Sequence, residues 1–178
     1  MMRRGKFIAA AAAALACALA LPGAHALFRD EDPDAPKWEE DEVPPPPAYS
    51  LDHLIDIELP RARSRAVRIG VAPETIAVNQ KTGVVRYVAV ARGPGAVNAS
   101  YEGIRCATAE YRVYARQVAG QPWEPVRGGT WLPMAAPTSA PHPHALALSG
   151  MCAGTAVTVP EQTIIRALQT GGAVGREL

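Results

Sequence analysis

Few side chains in this sequence have types and spacings that could do chemistry, and they lie in its second half. Cys106 and Cys152 stand 46 positions apart. Pro141-His142-Pro143-His144 is the one histidine cluster, and Glu102 and Glu110 flank Cys106 at equal distances. In an oxidising compartment the two cysteines read first as a disulfide. The other chemistry open to them is Cys106 as a thiolate nucleophile, with a histidine of the 142–144 pair as its base. The disulfide is the preferred reading, and closing that loop would contribute roughly 4 kcal/mol on the chain-entropy account. Neither cysteine sits in a CxxC, so nothing supports thioredoxin-type redox chemistry.

In an extended segment His142 and His144 would point the same way and could share a metal. A catalytic zinc site needs three protein ligands, and no third lies nearby in sequence. The pair therefore reads as titrating loop imidazoles, and His53, beside Asp52, as a surface residue. Glu102, Cys106 and Glu110 have the same strand parity and would share a face, unless Gly103 makes a bulge. The sequence contains no GxSxG, HExxH, phosphate-cradling glycine loop or EF-hand loop. No catalytic residue, metal or cofactor is assigned, and the chain is not read as an enzyme.

The compartment follows from the N-terminus. Arg3, Arg4 and Lys6 precede an Ala/Leu-rich run over residues 7–21, then Pro22, Gly23 and Ala24-His25-Ala26. That is the charged, apolar and small-residue order of a cleavable signal peptide, so residues 1–26 are set aside from fold reasoning. The run is short for a span, which wants about 20 apolar residues. Ala14-Leu15-Ala16-Cys17 resembles a lipidation box, but apolar sequence continues past Cys17, so cleavage after Ala26 is preferred. The mature chain is then residues 27–178, an exported periplasmic protein of one domain's length with no transmembrane span. Its net charge is −2, which gives no reason to expect a nucleic-acid partner.

Residues 27–50 read as an acidic arm with eight acids against Arg29 and Lys37, closed by the spacer Pro44-Pro45-Pro46-Pro47. Trp38 is out of character there. It either folds back as an anchor on the domain, the preferred reading, or forms a partner-binding segment with Glu39 and Glu40. Residues 51–178 form the folded body and carry a net charge of +4. Arg61, Arg63, Arg65 and Arg68 crowd one stretch, read as a solvated strand face or a landing strip for the arm in preference to a dedicated anion site.

Strand signals dominate the body. Residues 54–59, 66–71 and 75–78 are three candidates, with Pro73 ending the second. Asn79-Gln80-Lys81-Thr82-Gly83 reads as a hairpin connection. Val84–Arg92 is the strongest strand, with Arg86, Val88, Val90 and Arg92 on one face and Val85, Tyr87, Ala89 and Ala91 on the other. Val97–Arg105 and residues 111–117 follow, the latter with Tyr111, Val113 and Ala115 alternating against Arg112, Tyr114 and Arg116. Residues 123–126 read as a short edge strand, while Trp131 and Met134 cap one end of the core. Residues 144–151 read as a short helix delivering Cys152. Residues 160–169 read as the best helix, with Pro160 at its start, Ile164, Ile165 and Leu168 on one face, and Gly171 stopping it.

Trp38-Glu39-Glu40, the proline spacer, the strand Val84–Arg92, Tyr101-Glu102-Gly103-Ile104-Arg105-Cys106 and Glu110-Tyr111-Arg112-Val113-Tyr114 together resemble the "cryptic neisserial protein one"-like family of small exported β-proteobacterial proteins. The resemblance runs from about residue 30 to about residue 170, as one domain would. It implies a periplasmic or envelope-associated protein of unassigned function, with a later cysteine whose place Cys152 fits. It brings no catalytic residues.

The expected fold is mainly β: an antiparallel sheet, as an open barrel or sandwich, with one or two short C-terminal helices, and a layered α+β arrangement as the alternative. The expected function is a non-enzymatic envelope module that binds another envelope protein or envelope component. The alternative is a hydrolytic or metal-dependent periplasmic enzyme using the His142/His144 region.

Overall fold

A computed structural model describes residues 37–59, 66–134, 140–153 and 159–171. The leader, Cys17, half of the acids of the arm and Arg61, Arg63 and Arg65 lie outside the described residues. Among the described residues seven strands form one open antiparallel sheet. In chain order they are β1 (Ile55–Ile57), β2 (Arg68–Asn79), β3 (Val84–Arg92), β4 (Val97–Arg105), β5 (Glu110–Val118), β6 (Glu124–Pro125) and β7 (Leu132–Pro133). The first six lie side by side in sequence order, and β7 also pairs with β5. The helices α1 (His142–Leu146) and α2 (Glu161–Gln169) come next, with a helical turn at Ala147–Met151 after α1. Among the described residues no helix is long and apolar enough to cross a membrane.

Strand alternation gives the sheet two apolar faces. Val85, Tyr87 and Ala89 of β3 pack with Ile104, Leu146, Met151, Ile164 and Leu168 on the helix face. Val88 and Val90 pack with Ala72, Ala99, Tyr101 and Ala115 on the other. The expected face pattern of β3 thus holds, and both faces of that strand are buried. Among the described residues no second sheet covers the second face. Residues 38–50 run across it as an extended segment without helix or strand, and Val43 and Tyr49 pack on its apolar cluster. They belong to the same compact unit as the sheet.

Two strand expectations are corrected. Pro73 does not end a strand, because β2 runs through it in a register irregularity between Ala72 and Ala77. There Thr75 Oγ1 donates to the Ala72 carbonyl at 2.6 Å and accepts the Val88 N–H at 2.9 Å. A side chain replaces the missing ladder bond, so proline's lack of a donor does no harm. Nor is the bulge at Gly103, which pairs regularly with Arg86 and Arg112. The extra residue is Tyr114 on β5, between the pairs Glu102–Val113 and Tyr101–Ala115. Face parity therefore flips along β5: Tyr111 belongs to the helix face, and Ala115 to the arm face. Gly103 serves that bulge, since a Cβ there would overlap the Tyr114 ring.

The helices form as their sequences suggest, α1 starting two residues earlier than expected. Glu161 in the first turn of α2 accepts the Val78 N–H at 3.1 Å, tying the helix start to β2. Ile164 and Leu168 are its buried face, whereas Ile165 is only half-buried. Cys106, in the turn after β4, is bonded to Cys152, the residue after Met151. Gly150 has φ of 112°, and a Cβ there would overlap Ala167 of α2. A side chain at this position would be strained and would hold the two helical segments apart.

Candidate functional site

The helix face buries one carboxylate. Glu102 of β4 lies directly opposite Tyr87 of β3, and α1 lowers His142 onto the same spot. The Glu102 side chain is 2% exposed and that of His142 11%. Tyr87 Oη donates to Oε2 at 2.8 Å and Ser100 Oγ donates to Oε1 at 2.5 Å. His142 Nε2 stands 3.0 and 2.9 Å from the two oxygens. Burial pushes the Glu102 carboxyl up, but the His142 charge and the three hydrogen bonds outweigh it and leave it below its ordinary 4.5. Burial and the adjacent carboxylate drive the Tyr87 hydroxyl well above its ordinary value, so it stays a donor.

This wiring constrains the chemistry. A serine nucleophile needs its hydroxyl on the imidazole, with the acid behind the imidazole. Here Ser100 and His142 both spend their bonds on Glu102. The extended histidine pair is corrected as well. His142 and His144 lie in a helix, where residues two apart do not face each other, so His142 is buried and His144 exposed. Among the described residues no three His, Cys, Asp or Glu side chains are placed to hold a metal. Cys106 is spent in the disulfide, and Glu110 sits apart from Glu102, accepting from Thr108 Oγ1 at 2.6 Å. His53 is exposed.

Next to His142 the sheet is hollow. A half-open cavity of about 370 Å³ lies over the ends of β2 to β5. Ala89, Ala91, Asn98 and Ser100 line it together with Ile69 and Val118, and these small side chains leave the space. His142 forms one wall, and Arg116 and Glu124 stand among its lining. Its size suits a small ligand.

The opposite face buries a second carboxylate, from the arm. Glu40 receives Arg86 at 2.9 Å, Arg112 at 3.3 Å and the Tyr114 hydroxyl at 2.5 Å. Glu40 and Arg86 side chains are each 7% exposed. Burial, and then the Glu40 carboxylate, push Tyr114 far above its ordinary value. Trp38 donates its indole N–H to the Thr82 carbonyl at 3.0 Å, lies under Arg105 at 3.8 Å and meets Trp131 edge-on. Of the three arm residues singled out, Trp38 and Glu40 contact the chain's own sheet, and Glu39 is exposed. The described landing strip is Arg86, Arg105 and Arg112; Arg68, with Arg92, pairs with Asp56 instead.

A model of the CNP1-like family, named for cryptic neisserial protein one, matches residues 33–169. The chain belongs to the CNP1-like family. Searches of curated proteins and of solved structures each found no match. The CNP1-like match takes in the arm face, the Glu102 cluster and the disulfide together.

Sequence reasoning overlooked Tyr87, Ser100 and Arg86 as partners of these carboxylates. The signal was available in part. Glu102 shares parity with Ile104 and Arg86 with Val84 and Val88, so each is an ionisable group on a face that strand alternation would bury. Tyr87 and Arg86, 15 and 46 residues from their carboxylates, carry no local signature of the pairing.

Proposed function

We propose that this CNP1-like protein is exported to the periplasm and acts there as a non-catalytic binding module, with the hollow beside His142 as its site. The hollow itself carries the reading: a preformed, mostly apolar recess whose neighbouring serine and histidine are committed to Glu102. Such groups orient and select a ligand without attacking it. The signal-like leader and the disulfide support an oxidising compartment. Partner binding by Trp38, Glu39 and Glu40 would first require breaking the Glu40 ion pairs, so the arm is assigned to holding the fold.

Native mass spectrometry of the protein recovered from the periplasm tests this reading. The expected species is residues 27–178 carrying a small-molecule adduct, which Ala91→Phe abolishes by filling the hollow. An uncleaved cytoplasmic chain, or an adduct indifferent to that substitution, would overturn it.

One observation favours a second reading, a hydrolase. A buried imidazole–carboxylate pair at a cavity wall is a common acid–base device. It requires His142 to turn from Glu102 toward substrate. Turnover of a chromogenic ester that is lost in His142→Gln would select it.

A further inference from the structure

The lining of the hollow is specific about ligand chemistry. Arg68 and Arg92 pair with Asp56, Arg86 and Arg112 with Glu40, and Arg105 with Glu110. Arg116, among the lining residues, makes no ion pair among the described residues, although Glu124 is its partner in the β5–β6 ladder. It is exposed, and its guanidinium fork suits a carboxylate bidentately. Among the described lining residues the other ionisable groups are Glu124 and His142, and Glu102 already faces His142. A ligand of high negative charge would meet Glu124, and a ligand without an apolar body would leave the alanines dry and unfilled.

The length of the recess is set by the sheet. Arg116 is on β5, Ser100 on β4, Ala89 and Ala91 on β3, and Ile69 on β2. Three strand spacings separate the two ends, roughly 14 Å. Resting on the reading of the hollow as a binding site, we infer that its ligand is a medium-length monocarboxylate with an unbranched apolar body. The carboxylate sits on Arg116, and the body crosses Ser100 and the alanines toward Ile69.

Titration calorimetry of the mature protein with decanoate, decanol and decylamine, each below its micellar concentration, tests the inference. Decanoate is expected to bind about tenfold or more tightly than decanol, and decylamine more weakly than either. Arg116→Gln, an exposed position that leaves the core intact, should bring decanoate down to the decanol level and leave decanol unchanged. Decanol binding as tightly as decanoate, or an acid preference that survives Arg116→Gln, would overturn the carboxylate assignment while leaving the hollow a binding site. No binding by any of the three probes would remove both readings. A circular dichroism melt of each variant, matching wild type, ensures that lost binding is not lost folding.

Discussion

Each face of the sheet buries one carboxylate, Glu40 beneath the arm and Glu102 beneath α1, but the two are held by different means. Glu40 meets two guanidinium groups and a phenol. Its segment has no ladder hydrogen bonds of its own, so these charges and Trp38 do much of the fastening. Glu102 meets a phenol, a hydroxyl and an imidazole, and grows from a central strand already fixed on both sides. There the partner brought in from outside the sheet is α1, and the disulfide at Cys152 fastens the C-terminal side of the helical segment to the turn after β4. One face is closed by ion pairs, the other by a covalent bond and a buried hydrogen-bonded carboxylate. The hollow lies on the helix face, where a ligand can be admitted without dismantling an ion-pair network.

The sharpest way to break this contrast is to remove the acid of the arm. Glu40→Ala leaves Arg86 buried without a counter-ion, and should cost roughly 3–5 kcal/mol in urea unfolding at neutral pH. Replacing Glu40 and Arg86 together by Leu and Met should recover most of that loss, because the penalty lies in the orphaned charge. A loss below about 1 kcal/mol for Glu40→Ala would mean that the arm is held by its apolar contacts alone. The next largest effect is on the other face. Substituting both Cys106 and Cys152 by Ser should cost roughly 2–4 kcal/mol. Hydrogen exchange should then quicken in α1 and the turn after it, and stay unchanged in residues 38–50. Equal quickening on both faces would show that the sheet transmits the damage and that the two closures are not independent.

Much of this arrangement is legible in the chain itself. β3, the hairpin before it and α2 obey local rules, since alternation, turn residues and a first-turn proline each act within a few positions. The disulfide is what the expected oxidising compartment and the cysteine count point to. The features that escape such rules depend on side chains that override the backbone's own preferences. Thr75 lends its hydroxyl to the ladder and carries β2 past Pro73. Tyr114 bulges and reverses the parity of β5. The prolines before His142 and His144 suggest an extended segment, yet Pro143 occupies the first turn of a helix, where it is tolerated. The hollow is least legible, because it arises from small residues on neighbouring strands and exists only once the register is set.

Glu102→Gln probes the helix face and should have a smaller effect at neutral pH, roughly 1–3 kcal/mol for a buried charged acceptor made neutral. Its pH dependence is more telling. The folded carboxyl lies below its ordinary 4.5, so its contribution is complete above that value and is lost as pH falls through the folded one. The gap between wild type and Glu102→Gln should therefore be widest near neutrality and close in acid. A gap that does not vary with pH would show that shape, and not charge, is what His142, Tyr87 and Ser100 recognise.

The smallest expected effect marks the edge of the charged closure. Asp41 lies next to Glu40 and pairs with Lys81 at 2.6 Å, with Asn79 also donating to it at 3.3 Å. Lys81 is exposed, so its ammonium gives up little hydration in pairing and salt screens the attraction. Lys81→Ala should leave the melting temperature within error at about 0.15 M salt and lower it only slightly at low ionic strength. Glu40→Ala should show the same deficit at both salts, because water and ions do not reach the buried pair. A strong salt dependence in Glu40→Ala would mean that solvent enters beneath the arm. The arm would then be a strap that opens, and its acids would be available to a partner after all.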